Sequence, residues 1–189
     1  MAEFGYQIKI PKERIAILIG KEGKIKREIE ESTGTKLEID SNEGDVMVSG
    51  EDALSLYSTR EIIKAIGRGF NPDLAMLLIK QDYAFEVITL PDADKKNHLM
   101  RIKGRLIGTE GKTRRIIEEM TECYLSIYGK TVAVIGRSDT IHLARKAIEM
   151  ILKGSPHSGV YQWLEKMHRQ YKRREFEENI DDFMVKDDE

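Results

Sequence analysis

Two short stretches hold the residues with the clearest chemical use in this 189-residue chain: residues 18–24, reading LIGKEGK, and residues 106–112, reading LIGTEGK. Each sets two residues between a pair of glycines and places a lysine after them: Gly20, Lys21, Glu22, Gly23 and Lys24, then Gly108, Thr109, Glu110, Gly111 and Lys112. A helix starting at the trailing lysine presents N–H groups without intrahelical partners, and the positive end of its dipole attracts an anion such as phosphate. Glycines let a sugar-phosphate backbone approach where a Cβ would obstruct it. Lys24 and Arg27 in one copy, and Lys112, Arg114 and Arg115 in the other, fall in the first turn of those helices. Acidic residues usually occupy that turn, so cations there cost about a few tenths of a kcal/mol each and point to an anionic ligand. Taken singly, either loop also reads as an ordinary helix start with surface lysines.

The two stretches belong to one duplication. Shifted by 88 positions, residues 18–39 align with 106–127, and 13 of the 22 pairs are identical. A repeat of that extent makes two related units the frame for the rest of the chain.

Local patterning supplies the elements that hold the loops. Phe4, Tyr6, Ile8 and Ile10 alternate with Gly5, Gln7 and Lys9 as a half-buried strand does, and Pro11 ends it. Residues 12–18, with Ile15 and Leu18 three apart, form a two-turn helix running into Gly20. Residues 24–33 form a helix with Ile25 and Ile29 on one face and Gly34 as a left-handed cap. Leu37 with Ile39 and Val46 with Val48 are two strands around a turn at 41–44. Asp52 caps a closing helix striped by Leu56, Ile62, Ile63 and Ile66.

The second unit repeats this course. A strand covers 85–90, a longer first helix 94–106, and a helix runs from 112 to about 121. Leu125 with Ile127 and Val132 with Val134 repeat the hairpin, and a helix closes the unit over 140–153. Arg60 then falls on Arg145 and Gly69 on Gly154. Between the units, GRGFNP at 67–72 breaks the closing helix, and Asn71 before Pro72 starts a short apolar helix over 73–79, read as a packed connector. After the second unit, Val160, Leu164, Met167 and Tyr171 stripe an amphipathic helix over 160–174. Residues 177–189 carry seven acidic side chains against one basic and are expected to form a disordered tail.

Composition narrows the function. Charged residues make up 34% and hydrophobic ones 40%, and no apolar run approaches the roughly 18 residues of a membrane span. The start MAEFGYQIKI lacks a signal-peptide pattern. With the single Cys123 ruling out an internal disulfide and reading as core beside Tyr124 and Leu125, the expectation is a globular cytoplasmic protein with no membrane partner. The net charge of −2 conceals a basic stretch, since residues 81–176 carry 18 basic groups against 12 acidic. His98, His142, His157 and His168 show no metal-ligand spacing. GKEGK lacks the spacing of a phosphate-binding loop and follows no strand, and no Ser or Cys stands in a nucleophile motif. The reading is a protein that is not an enzyme and takes no cofactor or metal.

A GXXG loop between two helices, ahead of a hairpin, resembles the KH domain, in which that loop clamps the backbone of about four nucleotides. One strand before each loop resembles the eukaryotic-type, or type I, topology. The implied fold class is α+β: two tandem type I KH domains, each a three-stranded sheet covered by helices, with a helical connector and a C-terminal helical extension. The divisions fall at 1–80, 81–176 and the tail at 177–189. The resemblance carries RNA-binding roles onto Ile19, Gly20, Lys21, Glu22, Gly23, Lys24 and Arg27, and onto Ile107, Gly108, Thr109, Glu110, Gly111, Lys112, Arg114 and Arg115. It implies a groove floor of Ile19, Ile29, Leu37 and Ile39 in one copy and Ile107, Ile117, Leu125 and Ile127 in the other, most of whose area serves packing.

The pairing of units, AIGRGF at 65–70, the connector and the C-terminal extension resemble, more narrowly, archaeal KH proteins related to the eukaryotic pre-ribosomal factor called the partner of Nob. That family implies a non-catalytic single-stranded RNA-binding protein acting on small-subunit ribosomal RNA near its 3′ end in ribosome maturation. Its implied protein partners are the alpha subunit of translation initiation factor two and the Nob endonuclease. A second reading stays open, a protein-interaction scaffold of ribosome biogenesis or translation initiation with one or both grooves unused. Trp163, Tyr161, Lys172, Arg173 and Arg174 either stack on and grip RNA or anchor the terminal helix and meet solvent.

Overall fold

Proline and glycine set the boundaries of the first unit. In the computed structural model, which describes residues 4–92 and 94–186 and side chains through Glu177, strand β1 (Phe4–Lys9) stops before Pro11 and helix α1 (Lys12–Ile19) starts after it. Gly20 ends α1, a single 3-10 turn carries the loop, and α2 (Lys24–Thr33) follows. Gly34 caps α2 at φ 67°, a left-handed position that suits glycine. Strands β2 (Lys36–Asp40) and β3 (Asp45–Gly50) make the hairpin, and α3 (Ala53–Gly67) starts at Asp52, whose carboxylate accepts the Ser55 N–H at 2.7 Å. The sheet runs β1-β3-β2, antiparallel throughout. Alternation on β3 shows one covered face, with Val46 and Val48 buried and Met47 exposed.

The connector is α4 (Pro72–Ala75) followed by a 3-10 turn to Ile79, and the Asn71 side chain accepts the Asp73 N–H at its start. The second unit then repeats the first: β4 (Tyr83–Thr89), α5 (Lys96–Ile107), α6 (Lys112–Thr121), β5 (Tyr124–Tyr128), β6 (Thr131–Arg137) and α7 (Ile141–Leu152), with sheet order β4-β6-β5. Several identities in the repeat have one physical cause. Glu30 accepts the Leu37 N–H at 2.8 Å and Glu118 the Leu125 N–H at 2.7 Å, each tying the second helix of its unit to the following strand. Thr33 and Thr121 donate their hydroxyls to the carbonyls of Ile29 and Ile117, both at 2.7 Å, which satisfies groups too deep to meet water.

The divergent positions also have a cause. Helix α8 (His157–Lys186) lies along α6 and α7, and its Val160 and Leu164 are buried in the second core. Ile116 and Met120 of α6 pack there, where the first unit has Glu28 and Ser32 facing solvent. At the end of α6, Glu122 takes the left-handed cap that Gly34 takes in the first unit, at φ 54°, and Lys172 of α8 holds its carboxylate at 2.6 Å. The patterning places this last helix over 160–174 and a disordered tail from 177. The helical backbone instead begins at His157 and continues to Lys186, with Arg173 and Glu177 paired at 2.8 Å across one turn. Residues 187–189 of the expected tail lie outside the described residues.

The two units share a core. Strand β6 reads Val132, Ala133, Val134, Ile135, all fully buried. Val132 and Val134 face the second unit's helices, whereas Ala133 and Ile135 join the first core together with Phe70, Ala75 and Leu78. Phe70 meets Phe85 of β4 edge-on at 6.3 Å between ring centroids. Arg14 of α1 donates to the carbonyls of Ile66 and Phe70 at 2.7 and 2.6 Å and lies over the Tyr128 ring, while Tyr128 donates its hydroxyl to Glu13. The outer face of the second sheet is therefore closed by the first unit's helices and the connector.

Candidate nucleic-acid interface

Both loops adopt the same backbone. Gly20 has φ 71° and ψ 177° and Gly108 has φ 74° and ψ 174°; Glu22 stands at φ 54° and ψ 28° and Glu110 at φ 52° and ψ 28°. Gly23 and Gly111 both take φ 75°. The paired glycines do different work. A Cβ on Gly20 would stand 2.9 Å from the Ile25 nitrogen, and one on Gly108 would stand 2.7 Å from the Thr113 nitrogen. The first glycine of each loop is thus required for the chain to fold back on the next helix. Nothing lies within 4 Å of a Cβ on Gly23 or Gly111. The second glycine keeps the outer side open, with room for a sugar-phosphate backbone.

The helix starts behind the loops are available to an anion. No side chain caps α2 or α6, and neither has an acidic residue in its first turn. Among the described residues, no carboxylate lies within ion-pair distance of Lys21, Lys24, Arg27 or Lys112, and all four are exposed. Arg114 and Arg115 are engaged within the protein: Arg114 pairs with Glu118 at 3.1 Å, and Arg115 donates to the Glu110 carbonyl at 2.9 Å, bracing the loop from its own helix. Glu22 and Glu110 are exposed at the loop tips.

The apolar strip beside each loop is narrower than the eight groove residues imply. Ile29, Leu37, Ile117 and Leu125 are fully buried and belong to the cores. Ile19, Ile39 and Ile127 keep part of their surface, and Ile107 is 38% exposed, so these four are the ones that can meet a base. The hairpin turns beside the strips differ in charge. Asp40, which accepts the Asn42 and Glu43 N–H groups, and Glu43 line the first, while the second is Gly129 and Lys130.

Of the two readings of the α8 residues, Trp163 and Lys172 follow the anchoring one, and Arg173 stays in solvent. Trp163 packs against the second core, Lys172 pairs with Glu122 and Glu175, and Arg173 pairs with Glu177. Tyr161 shares a hydroxyl hydrogen bond of 2.8 Å with Thr113, beside the second loop. Patterning missed that buttress, because Tyr161 lies off the helix's apolar stripe. Cys123 is buried, donates to the Thr121 carbonyl at 3.2 Å, and burial pushes its thiol up, which makes it inert. Among the described residues no cluster of His, Cys, Asp or Glu is arranged to hold a metal, and no helix is long and apolar enough to cross a membrane.

A β-α-α-β-β-α unit with sheet order 1-3-2 and a GXXG turn between its first two helices is a type I KH domain, and this chain carries two of them. The family model described as "KH domain" matches residues 5–68, and the one described as "Eukaryotic type KH-domain (KH-domain type I)" matches residues 84–169. A KH domain-containing protein of Methanocaldococcus jannaschii is 45% identical over 175 residues, covering 90% of this chain and 77% of the relative. A chain in the crystal structure of the a/eIF2α–aDim2p–rRNA complex from Pyrococcus horikoshii is 45% identical, with a TM-score of 0.84, over 89% of this chain and 96% of that one. The RNA-binding protein PNO1 of Oryzias latipes is 36% identical over 114 residues, 59% of this chain and 47% of the relative. The chain belongs to the family of tandem KH proteins that includes archaeal Dim2p and eukaryotic PNO1. It spans about half the length of the eukaryotic relatives.

Proposed function

We propose that the protein is a non-catalytic binder of single-stranded RNA that engages small-subunit ribosomal RNA near its 3′ end during ribosome maturation. The observation that carries this reading is the repeated clamp: two loops of one geometry, each leading into an uncapped helix start, with Lys21, Lys24 and Arg27 beside the first and Lys112 beside the second free of carboxylates among the described residues. The arrangement suits phosphates on one side and unstacked bases on the half-exposed isoleucines on the other. The Pyrococcus relative crystallised with a/eIF2α and rRNA supports ribosomal RNA as target and the alpha subunit of translation initiation factor two as partner. A fungal PNO1 relative, 31% identical, is named a pre-rRNA-processing protein. The Nob endonuclease as a further partner rests on family resemblance alone.

The test is fluorescence anisotropy with short single-stranded RNAs, including the 3′ end of small-subunit ribosomal RNA. Wild type is compared with Lys21→Asp plus Glu22→Asp and with Thr109→Asp plus Glu110→Asp. Aspartate tolerates the left-handed position of Glu22 and Glu110, so circular dichroism stays unchanged while the new charges repel the RNA backbone. At least one pair weakens binding by about tenfold or more, a loss of about 1.4 kcal/mol. If wild type binds no RNA, or both variants bind as tightly as it does, the clamp reading fails and a protein-interaction scaffold takes its place.

A further inference from the structure

The second loop has a basic pocket at its flank. Arg101 and Arg105 of α5, Lys112 at the start of α6, and His157 and Tyr161 of α8 surround about 390 Å³ of open space beside the loop backbone at Thr109. None of the residues lining it is acidic. Its walls are pinned. Arg105 donates to the Ser155 carbonyl at 2.7 Å, His157 Nε2 donates back to the Arg105 carbonyl at 2.8 Å, and Tyr161 joins Thr113. Arg101 lies 3.1 Å from His98 Nδ1, and among the described residues no carboxylate pairs with Arg101, Arg105 or Lys112.

The duplication provides an internal comparison. At the register that matches the loops, Arg101 corresponds to Glu13 and Arg105 to Ile17. The first unit thus sets a carboxylate and a 36% exposed isoleucine where the second sets two arginines. Helix α5 as a whole carries Lys96, Arg101, Lys103 and Arg105 with no acidic residue, whereas α1 has Glu13. Burying or crowding like charges without counterions is unfavourable, so the pocket's composition calls for an anion. Two arginines with planar donor forks, one ammonium and nearby hydroxyls match a phosphate's several acceptor oxygens.

We infer that this pocket, in which Arg101, Arg105 and His157 face the loop's own Thr109 and Lys112, holds a further RNA phosphate next to the one the second GXXG loop clamps, so that the second KH domain grips a longer strand than the loop alone does. The inference rests on the RNA-binding reading above. The pocket abuts the loop at Thr109 and Lys112, so one continuous backbone passes from the clamp into it.

The experiment measures affinity of the full chain for labelled RNAs of four and of seven nucleotides, with Arg101→Gln, Arg101→Glu and a control, Lys146→Glu, on the exposed side of α7. Wild type prefers the longer RNA, and Arg101→Glu removes about tenfold or more of that preference while leaving the shorter RNA's affinity unchanged. Arg101→Gln removes part of it, and Lys146→Glu little. The salt slope for the longer RNA falls by about 0.7 per lost phosphate contact. Equal loss on both RNAs, equal loss in the Lys146→Glu control, or no loss in the Arg101 variants overturns the pocket while leaving the clamp intact. Wild type that binds neither RNA overturns the clamp and the pocket together. A site for free nucleotides would bind adenosine monophosphate alone and leave the length preference untouched by Arg101→Glu, which also overturns the inference.

Discussion

Tyr161 of α8 and Thr113 of α6 join hydroxyls at 2.8 Å, and Thr113 is the residue against which Gly108 of the second loop is packed. The second GXXG loop is thus braced by the helix that follows the β-α-α-β-β-α unit. In the first loop Ile25 occupies the position of Thr113. Tyr161→Phe leaves the Thr113 hydroxyl, 2% exposed, without this partner. The variant loses about 1 kcal/mol in urea unfolding, and its RNA affinity falls through the second loop alone. An unchanged unfolding midpoint would show that the brace carries no weight.

The two glycines of a loop differ in cost. Gly108→Ala meets both a left-handed φ of 74° and the Thr113 backbone, whereas Gly111→Ala meets only a φ of 75° in open space. Gly111→Ala lowers stability by about 1 kcal/mol, the conformational penalty. Gly108→Ala lowers it by about 3 kcal/mol, adding the steric clash. Denaturant titration of the pair separates the two, and equal losses would refute the assignment of different roles.

Gly69 and Gly154 close the corresponding helices at φ 98° and 94°. A Cβ on Gly69 would reach Ser126 Oγ at 2.6 Å across the domain boundary, while on Gly154 the nearest atom lies at 4.0 Å. Gly69→Ala therefore destabilises by about 1–2 kcal/mol more than Gly154→Ala. The wild type unfolds in one transition, because Ala133 and Ile135 belong to the first core. Ile135→Ala costs about 2–5 kcal/mol. Two separated calorimetric transitions in the wild type would contradict the shared core.

The α8 contact carries its own pH dependence. Burial, and then the hydrogen bond donated to Asp139 at 3.0 Å, push the Tyr171 hydroxyl up to about 12. A group whose folded pKa lies above its unfolded value of about 10 stabilises the fold while protonated. That contribution is complete below about pH 10 and is lost as the pH rises toward 12. Thermal melts of wild type and Tyr171→Phe should therefore keep a constant gap below about pH 9 and converge above it. A gap that stays constant through this window would show that Tyr171 ionises as freely as in an unfolded chain.

The internal repeat, both loops and the course of each unit were legible in the amino-acid order because they depend on local chemistry. Pro11 and Asn71-Pro72 mark boundaries, Gly34 supplies the left-handed cap, and period-two alternation marks β1 and β3. The site residues Gly20 and Gly108 follow from the same punctuation. The sequence also held a signal of domain packing in the unbroken run Val132 to Ile135, which differs from the alternation in β3 and marks a strand covered on both faces.

Tertiary structure decided which of the nominated residues are free to act. Arg114 and Arg115 are spent on Glu118 and the Glu110 carbonyl, Ile29 and Leu37 are closed into the core, and Tyr161 braces the second loop through Thr113, 48 residues away from it in sequence. Contacts of that separation depend on how helices pack, and no periodicity within one segment encodes them. The basic pocket has the same origin: Arg101, Lys112 and His157 lie on three helices and meet only because α8 folds back over α6. Sequence alone thus determined two KH units and their loops, through local propensity and spacing. Packing between distant segments decided that Tyr161 braces the second loop and that Arg101, Arg105, Lys112 and His157 gather beside it.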